Sequence, residues 1–245
     1  MKIKTRSKDF QKIFFSKIIN KKNFTYRVLF LYLEKYLNKK FYAIDVGCGQ
    51  GNITFFSAKK IKKIAGIDIS KENIKVAKRK ARKLNLNKKI SFSTGNIENL
   101  SIPKNKADLI IFTEVIEHIH RGPDILKKLN KWLNKNGILF LSTPSKNAPL
   151  LKVKKFRERD KTFGHVKRYS ANELEGYLEK SGFKILEVHH TEGPFRNFLF
   201  ISPLGKLPLK FANRFEIVSD IFTFIDNISL KLFGSSQIII VAQKK

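Results

Sequence analysis

Apolar positions in the first forty residues recur at helical spacing. Phe10, Ile13, Phe14, Ile18 and Ile19 form one stripe, with Lys8, Lys12, Lys17 and Lys21 between them, and a second helical pattern covers residues 24–37. Such helices either pack on a core and shield a ligand site or lie as basic amphipathic helices on a membrane; packing is the simpler expectation. From Phe41 the rhythm becomes strand, turn, helix. Strands are expected over residues 41–46, 63–68, 89–94, 107–113 and 137–142, and helices over 52–60, 70–85 and 123–133. Ser70 stands where it would cap the second of these helices. Repeated alternation of this kind argues for a parallel sheet with helices on both faces.

Beyond Pro144 the periodicity loosens. Residues 146–169 are basic and polar without a clear period, long enough for a lid or a substrate loop. Ser170-Ala171-Asn172-Glu173 is a capping box opening a helix to about Ser181, with Gly182 as its stop. A sixth strand follows over 183–189 and the last over 237–242. The stretch 192–236 between them is too long for a hairpin loop. It holds Pro194, Pro203 and Pro208, then Phe211, Phe215, Val218, Phe222 and Ile225, flanked by Ile217, Ile221, Phe224 and Ile228. An apolar face this wide is buried, dimeric or membrane-facing. The chain therefore reads as one domain: N-terminal helices (1–40), a core (41–142), a substrate loop (143–169), a helix and strand (170–190), an apolar cap insertion (191–236) and a last strand (237–245).

Composition narrows the partners. A length of 245 residues suits one α/β domain with additions. The single Cys excludes an intramolecular disulfide, and no metal-type Cys pair exists, so a reducing cytosol is the expected compartment. Lys+Arg 50 against Asp+Glu 20 gives a net charge of +30, mostly from Lys. That suits general attraction to anionic surfaces, phospholipid or nucleic acid, better than bidentate reading of bases. A solvated, compositionally biased surface explains the same excess. The basic start, Met1 to Ser7, runs into charges rather than an apolar core, so no signal peptide is expected. No run reaches the roughly 18 apolar residues of a spanning helix. A soluble or peripheral protein is expected.

The candidate chemistry begins at Phe41-Tyr42-Ala43-Ile44-Asp45-Val46-Gly47-Cys48-Gly49-Gln50-Gly51. An apolar strand ending in an acid and a glycine turn delivers its carboxyl end to a nucleotide-like ligand, because glycine lets backbone approach without a Cβ. Alone this is a weak signal. Three further stretches follow in order: Asp68 ending the second strand, Gly95-Asn96-Ile97-Glu98 after the third, and Asp108 to Ile119 (DLIIFTEVIEHI). Together they resemble the ordered motifs of class I S-adenosylmethionine-dependent methyltransferases, from about Tyr42 to Phe183 and again in the last strand. The resemblance implies a Rossmann-like, seven-stranded, mostly parallel sheet with helices on both faces, N-terminal helices and a helical insertion before the last strand. It also implies S-adenosylmethionine as cofactor. Asp45 would order the turn and meet the cofactor's amino group through water, and Gly47, Cys48, Gly49 and Gly51 would cradle its amino-acid portion. Asp68 would accept both ribose hydroxyls. Asn96, where the family often has Asp, would face the adenine. Ile69, Ile97 and Thr113 complete the implied cofactor-binding set. A nicotinamide Rossmann enzyme would want its third glycine where Asn52 stands.

Thr113-Glu114-Val115-Ile116-Glu117-His118 is sharper. Spacing i, i+3, i+4 would put Glu114, Glu117 and His118 on one face of a helical turn, and Phe163-Gly164-His165 supplies another imidazole. The set resembles small-RNA 2′-O-methyltransferases, which implies a divalent metal (Mg or Mn) on Glu114, Glu117, His118 and His165. The Glu-x-x-Glu-His element is also similar to the ubiquinone-pathway O-methyltransferases. Without a metal, His118 and His165 are the candidate catalytic residues, with His118 as base or orienting group; Glu-His as mere cap and packing stays open. The function expected is O-methylation of a small or lipid-linked hydroxyl compound, a quinone precursor or glycan, near anionic lipid. RNA 2′-O-methylation and a non-catalytic cofactor-binding scaffold are the alternatives.

Overall fold

The computed structural model describes residues 18–103 and 105–245, so the first expected helix lies outside the described residues except for Ile18 and Ile19. One sheet organises them. Its strands are β1 (Tyr42–Val46), β2 (Lys63–Asp68), β3 (Ile90–Thr94), β4 (Ala107–Thr113), β5 (Leu133–Pro144), β6 (Phe183–Thr191) and β7 (Gln237–Lys244), in the order β3-β2-β1-β4-β5-β7-β6. Neighbours among β1 to β5 pair in parallel, and β7 runs antiparallel between β5 and β6. All carboxyl ends except that of β7 therefore meet at one edge. Helices α1 (Arg27–Leu33), α2 (Asn52–Ser57), α3 (Lys71–Lys83), α4 (Gly122–Trp132) and α6 (Ala171–Lys180) connect or cover them.

β4 explains why its sequence shows no alternation. Ile110 and Phe112 face one core with Leu126, Leu129, Trp132, Leu174 and Leu178, while Leu109 and Ile111 face the other with Leu33, Phe55, Ile74 and Ala77. A central parallel strand covered on both faces has no polar side to show. Caps sit where the sequence placed them: Ser70 accepts the Asn73 amide at 3.1 Å, and Ser170 and Glu173 form the reciprocal box.

One expectation changes and one, the helical insertion, holds. Residues 146–169 are not an aperiodic loop, since they contain a 3₁₀ turn (Pro149–Lys152) and the short helix α5 (Lys154–Lys161). The stretch before β7 is three helices, α7 (Pro194–Ile201), α8 (Lys206–Arg214) and α9 (Glu216–Phe233). Phe24, Leu199, Leu209 and Ala212 form its small core, with Val218 and Phe222 packed against it. Under this core lies an ion pair: Arg196, 0% exposed, donates from Nε to Asp226 at 3.2 Å and from a terminal nitrogen to the Phe24 carbonyl. Asp226 also accepts the Gly193 and Arg196 amides at 3.0 and 2.8 Å. Asp226→Ala is expected to cost about 3–5 kcal/mol, because it strands the Arg196 charge in the interior. Urea unfolding checks this; a loss below about 1 kcal/mol would mean that water reaches the guanidinium.

Candidate active site

The carboxyl edge of the sheet gathers the sequence-marked residues. At the end of β1, Gly47, Gly49 and Gly51 all take positive φ, +76°, +53° and +83°. The turn is held by the Gly47 and Cys48 amides, which donate to the Ile67 carbonyl at 2.8 and 3.0 Å. A Cβ at Gly47 would lie 2.2 Å from Val115 Cγ2, so that glycine is required by packing. At Gly49 nothing lies within 4 Å, which leaves that side of the turn open to a ligand. Cys48 is buried, and burial raises its thiol well above the ordinary value, so it is inert filler.

Asp45 is 1% exposed, with its carboxyl raised to about 7 by burial, and it accepts the Thr54 hydroxyl at 2.5 Å. Its contact is with the first turn of α2. Asp68 is the more open acid. Its Oδ2 accepts the Gly49 amide at 2.7 Å and its Oδ1 the Ser70 amide at 2.9 Å, each oxygen keeping a second lone pair. Ile69 beside it is 69% exposed. Gly95 donates to the Asp68 carbonyl at 3.0 Å, which draws the Asn96 turn to the same edge. Asn96 Oδ1 accepts the Glu98 amide, while Ile97 is buried in the core and Thr113 is buried at the end of β4.

The expected α-turn after β4 is a different structure. Glu114 takes a φ of +56°, and only Ile116–His118 form a 3₁₀ turn. The three side chains therefore do not share one helix face. Glu114 Oε1 instead accepts from the Ser142 hydroxyl at 2.8 Å and from Gln237. Glu117 is fully buried; its Oε2 accepts the Thr143 hydroxyl at 2.9 Å, and its Oε1 makes no hydrogen bond but stands 3.9 Å from His118 Nε2. Burial, reinforced by Glu114, raises the Glu117 carboxyl well above the ordinary range. A carboxylate oxygen of Glu117 and one nitrogen each of His118 and His165 lie within 4.8 Å of one another. Of the four expected ligands, Glu114 lies outside that group.

Both imidazoles are oriented. His118 Nδ1 stands 3.0 Å from the Gly164 carbonyl, which can only accept, so Nε2 keeps its lone pair. Burial lowers the His118 pKa and favours the neutral ring. His165 Nδ1 is 2.9 Å from Asp160 Oδ1, and Arg168 grips the same carboxylate from Nε at 2.7 Å and from a terminal nitrogen at 2.5 Å. Although burial alone would raise it, Asp160 is held well below the ordinary range by Arg168 and then His165. Backbone bonds from Val166 and Lys167 to the Glu117 carbonyl, at 2.7 and 3.1 Å, pin this segment over the 3₁₀ turn.

His165 faces a cavity of about 290 Å³ that also touches Glu114, Tyr26, Phe163, Glu192 and Phe200. The insertion thus lines the cavity through α7, Glu192 and Ser236, and none of Phe211 to Ile228 reaches it. On the other side of His165 a more open groove carries Lys146, Lys152, Arg157, Lys161 and Lys167. Sequence reading missed Asp160 and Glu192. Asp160 sits on a helix with no clear apolar period. Glu192 does have a signal, an acid directly after a strand at the carboxyl edge, as at Asp68 and Glu114.

Glu192 takes a φ of +56°, and its carboxyl is raised to about 7 by burial, with Arg196 opposing and Glu114 and Asp226 assisting. Its folded pKa lies above the ordinary 4.5, so the folded state binds a proton that the unfolded chain releases between 4.5 and about 7. Stability from this group therefore falls as pH rises through that window. Glu192→Gln is expected to remove about 3 kcal/mol of that fall. Urea midpoints on either side of the window check it, and the other buried acids with raised carboxyls, Asp45, Glu114 and Glu117, should supply the slope that remains.

Comparison with known proteins agrees with this geometry. Residues 37–188 match the methyltransferase domain family model. A ubiquinone biosynthesis O-methyltransferase of Pelagibacter ubique is 38% identical over 103 residues, 42% of this chain and 42% of that protein. One from Coxiella burnetii is 32% identical over 117 residues, 47% of this chain and 49% of that protein. The chain thus matches less than half the length of these relatives. A malonyl-[acyl-carrier protein] O-methyltransferase of Priestia megaterium is 27% identical over 82% of this chain and 69% of that protein. Among solved structures, a geranyl diphosphate C-methyltransferase of Streptomyces coelicolor superposes with a TM-score of 0.66 at 14% identity, covering 89% of this chain and 77% of that one. By its family match and its sheet, the chain belongs to the methyltransferase domain family, within the class I S-adenosylmethionine-dependent methyltransferases.

Proposed function

We propose that this protein methylates a hydroxyl oxygen of a small or lipid-linked acceptor, with S-adenosylmethionine as donor. Bound S-adenosylmethionine supplies an electrophilic sulfonium methyl group. In this reading the chain's residues bind it along the open side of the Gly49 turn, with Asp68 accepting the ribose hydroxyls through its spare lone pairs and Ile69 and Asn96 beside the base. The acceptor occupies the cavity between α1, α7 and the ends of β4 and β7.

The observation that carries the reading is the Asp160–His165 pair on the cavity wall. A carboxylate that accepts a hydrogen bond from Nδ1–H leaves the Nε2 lone pair of His165 free and the ring held by Asp160, itself fixed by Arg168, which is what removing a hydroxyl proton during transfer needs. His118, 5.0 Å away between ring centroids, is the second imidazole of the site. The names of the relatives from Pelagibacter and Priestia, both O-methyltransferases, support oxygen as the acceptor atom.

A metal-assisted variant is favoured by one feature, the buried Glu117 Oε1 that makes no hydrogen bond, 3.9 Å from His118 Nε2, in a cluster with His165. The donor set fits a divalent cation: Glu117, His118 and His165 would hold it, with Asp160 supporting His165 from behind as carboxylates do at metal-bound histidines. Two nitrogens and one oxygen suit manganese or zinc better than magnesium. The cation would lower the pKa of an acceptor hydroxyl. The groove of lysines beside His165 favours RNA as the second acceptor class.

Labelled methyl transfer from S-adenosylmethionine into host extract, with and without EDTA, separates these. Label in lipid or small molecules is expected. Label confined to RNA would replace the acceptor, loss of transfer on chelation would bring in the metal, and absence of label from every fraction would overturn the reading.

A further inference from the structure

We propose that the outer face of α8 and α9 is a membrane-docking surface for anionic phospholipid. This rests on the lipid-linked acceptor reading above and names its partner and face. α9 is apolar on both sides: Val218 and Phe222 pack on the small core, and a second apolar stripe faces out. Its inward side also carries Ser219, Asp226 and Ser229, with Asp226 neutralised by Arg196. Its outward side carries Ile217, Ile221, Phe224, Ile225, Ile228 and Leu232, spaced 4, 3, 1, 3 and 4 residues apart, with Ile217 75% and Leu232 69% exposed. The segment before it repeats the pattern with Leu204, Leu207, Phe211 and Phe215, spaced 3, 4 and 4. A folded chain that buries its ion pair and leaves two apolar stripes in water needs something apolar to cover them.

Charge selects the cover. Glu216 is paired with Lys22, Asp220 with Arg27, and Asp226 with Arg196, so the acids of α9 are spent within the protein. Among the described residues, Lys206, Lys210 and Lys231 have no ion pair and stand on the same two helices. Apolar stripes bordered by free ammonium groups match an anionic lipid interface, where the apolar side chains enter the acyl boundary and lysines reach headgroups. A second copy is disfavoured by charge, since it would bring two chains of +30 face to face. Among the described residues no helix is long and apolar enough to cross a membrane, so the contact is interfacial. α7, which leads into α8 through the 3₁₀ turn Pro203–Gly205, lines the acceptor cavity, and docking would bring that cavity to the lipid.

Flotation of the full chain with vesicles tests this at low salt. Binding is expected to vesicles of phosphatidylcholine with phosphatidylglycerol and to be much weaker with phosphatidylcholine alone. The variant Ile221→Ser, Phe224→Ser, Ile228→Ser alters outward side chains only and is expected to lower binding at least about tenfold. S-adenosylhomocysteine binding, measured on the same samples, should not change, which separates failure of docking from failure of the methyltransferase reading. Equal flotation of wild type and variant would overturn the surface. So would no flotation together with a wild-type dimer, by sedimentation, that the variant abolishes.

Discussion

His165→Ala is expected to lower the turnover of methyl transfer by about 10²–10⁴-fold, the range for loss of a positioned general base. The side chain lies on the cavity wall, and its Nδ1 proton is committed to Asp160, so its Nε2 is the basic atom the acceptor meets. Asp160→Asn should cost less but move in the same direction, because Asn can present a donor to Nδ1 and turn the ring to the other tautomer. It should also loosen Arg168, which holds both the carboxylate and the Ser145 carbonyl at 2.8 Å. Steady-state kinetics with S-adenosylhomocysteine binding as control checks the pair. Full turnover in His165→Ala would move the base elsewhere, with His118 next in line. Loss of manganese binding in the same variant, by calorimetry, would instead mark His165 as a ligand.

Asp68→Ala is expected to weaken binding of S-adenosylmethionine or S-adenosylhomocysteine by at least about 100-fold. Two hydrogen bonds from ribose hydroxyls to a carboxylate are worth roughly 1.5–3 kcal/mol each, and 100-fold is about 2.7 kcal/mol. The same carboxylate fastens the Gly49 amide, so its loss also frees the glycine turn. Asp68→Asn separates the two effects: it keeps the size, yet offers one acceptor oxygen where two are in use. Affinity by calorimetry, with a thermal melt to confirm folding, decides it. Unchanged affinity in Asp68→Ala would place the ribose away from the end of β2.

The pattern of residues contained the sheet because each strand announces itself locally. β4 is apolar throughout, β1 and β2 end in acids, and Ser70 and Ser170 carry their own capping chemistry. The glycine turn was legible for the same reason, since positive φ restricts the residue type at the position itself. The Glu-x-x-Glu-His element was legible as a cluster and misread as a helix face. Helical spacing assumes helical backbone, and Glu114 leaves it, drawn off by Ser142 and Gln237, 28 and 123 residues away.

What periodicity along the chain established is the kind and order of the elements, and with them the class of fold, because backbone conformation is chosen within a few residues. Three-dimensional packing settled which side of each element meets which partner. It inserted β7 between β5 and β6, brought Asp160 to His165, set Glu192 beside Glu114, and turned Asp226 of α9 inward onto Arg196. Each of these joins groups whose attraction or burial depends on distant parts of the chain, and no local pattern carries that information.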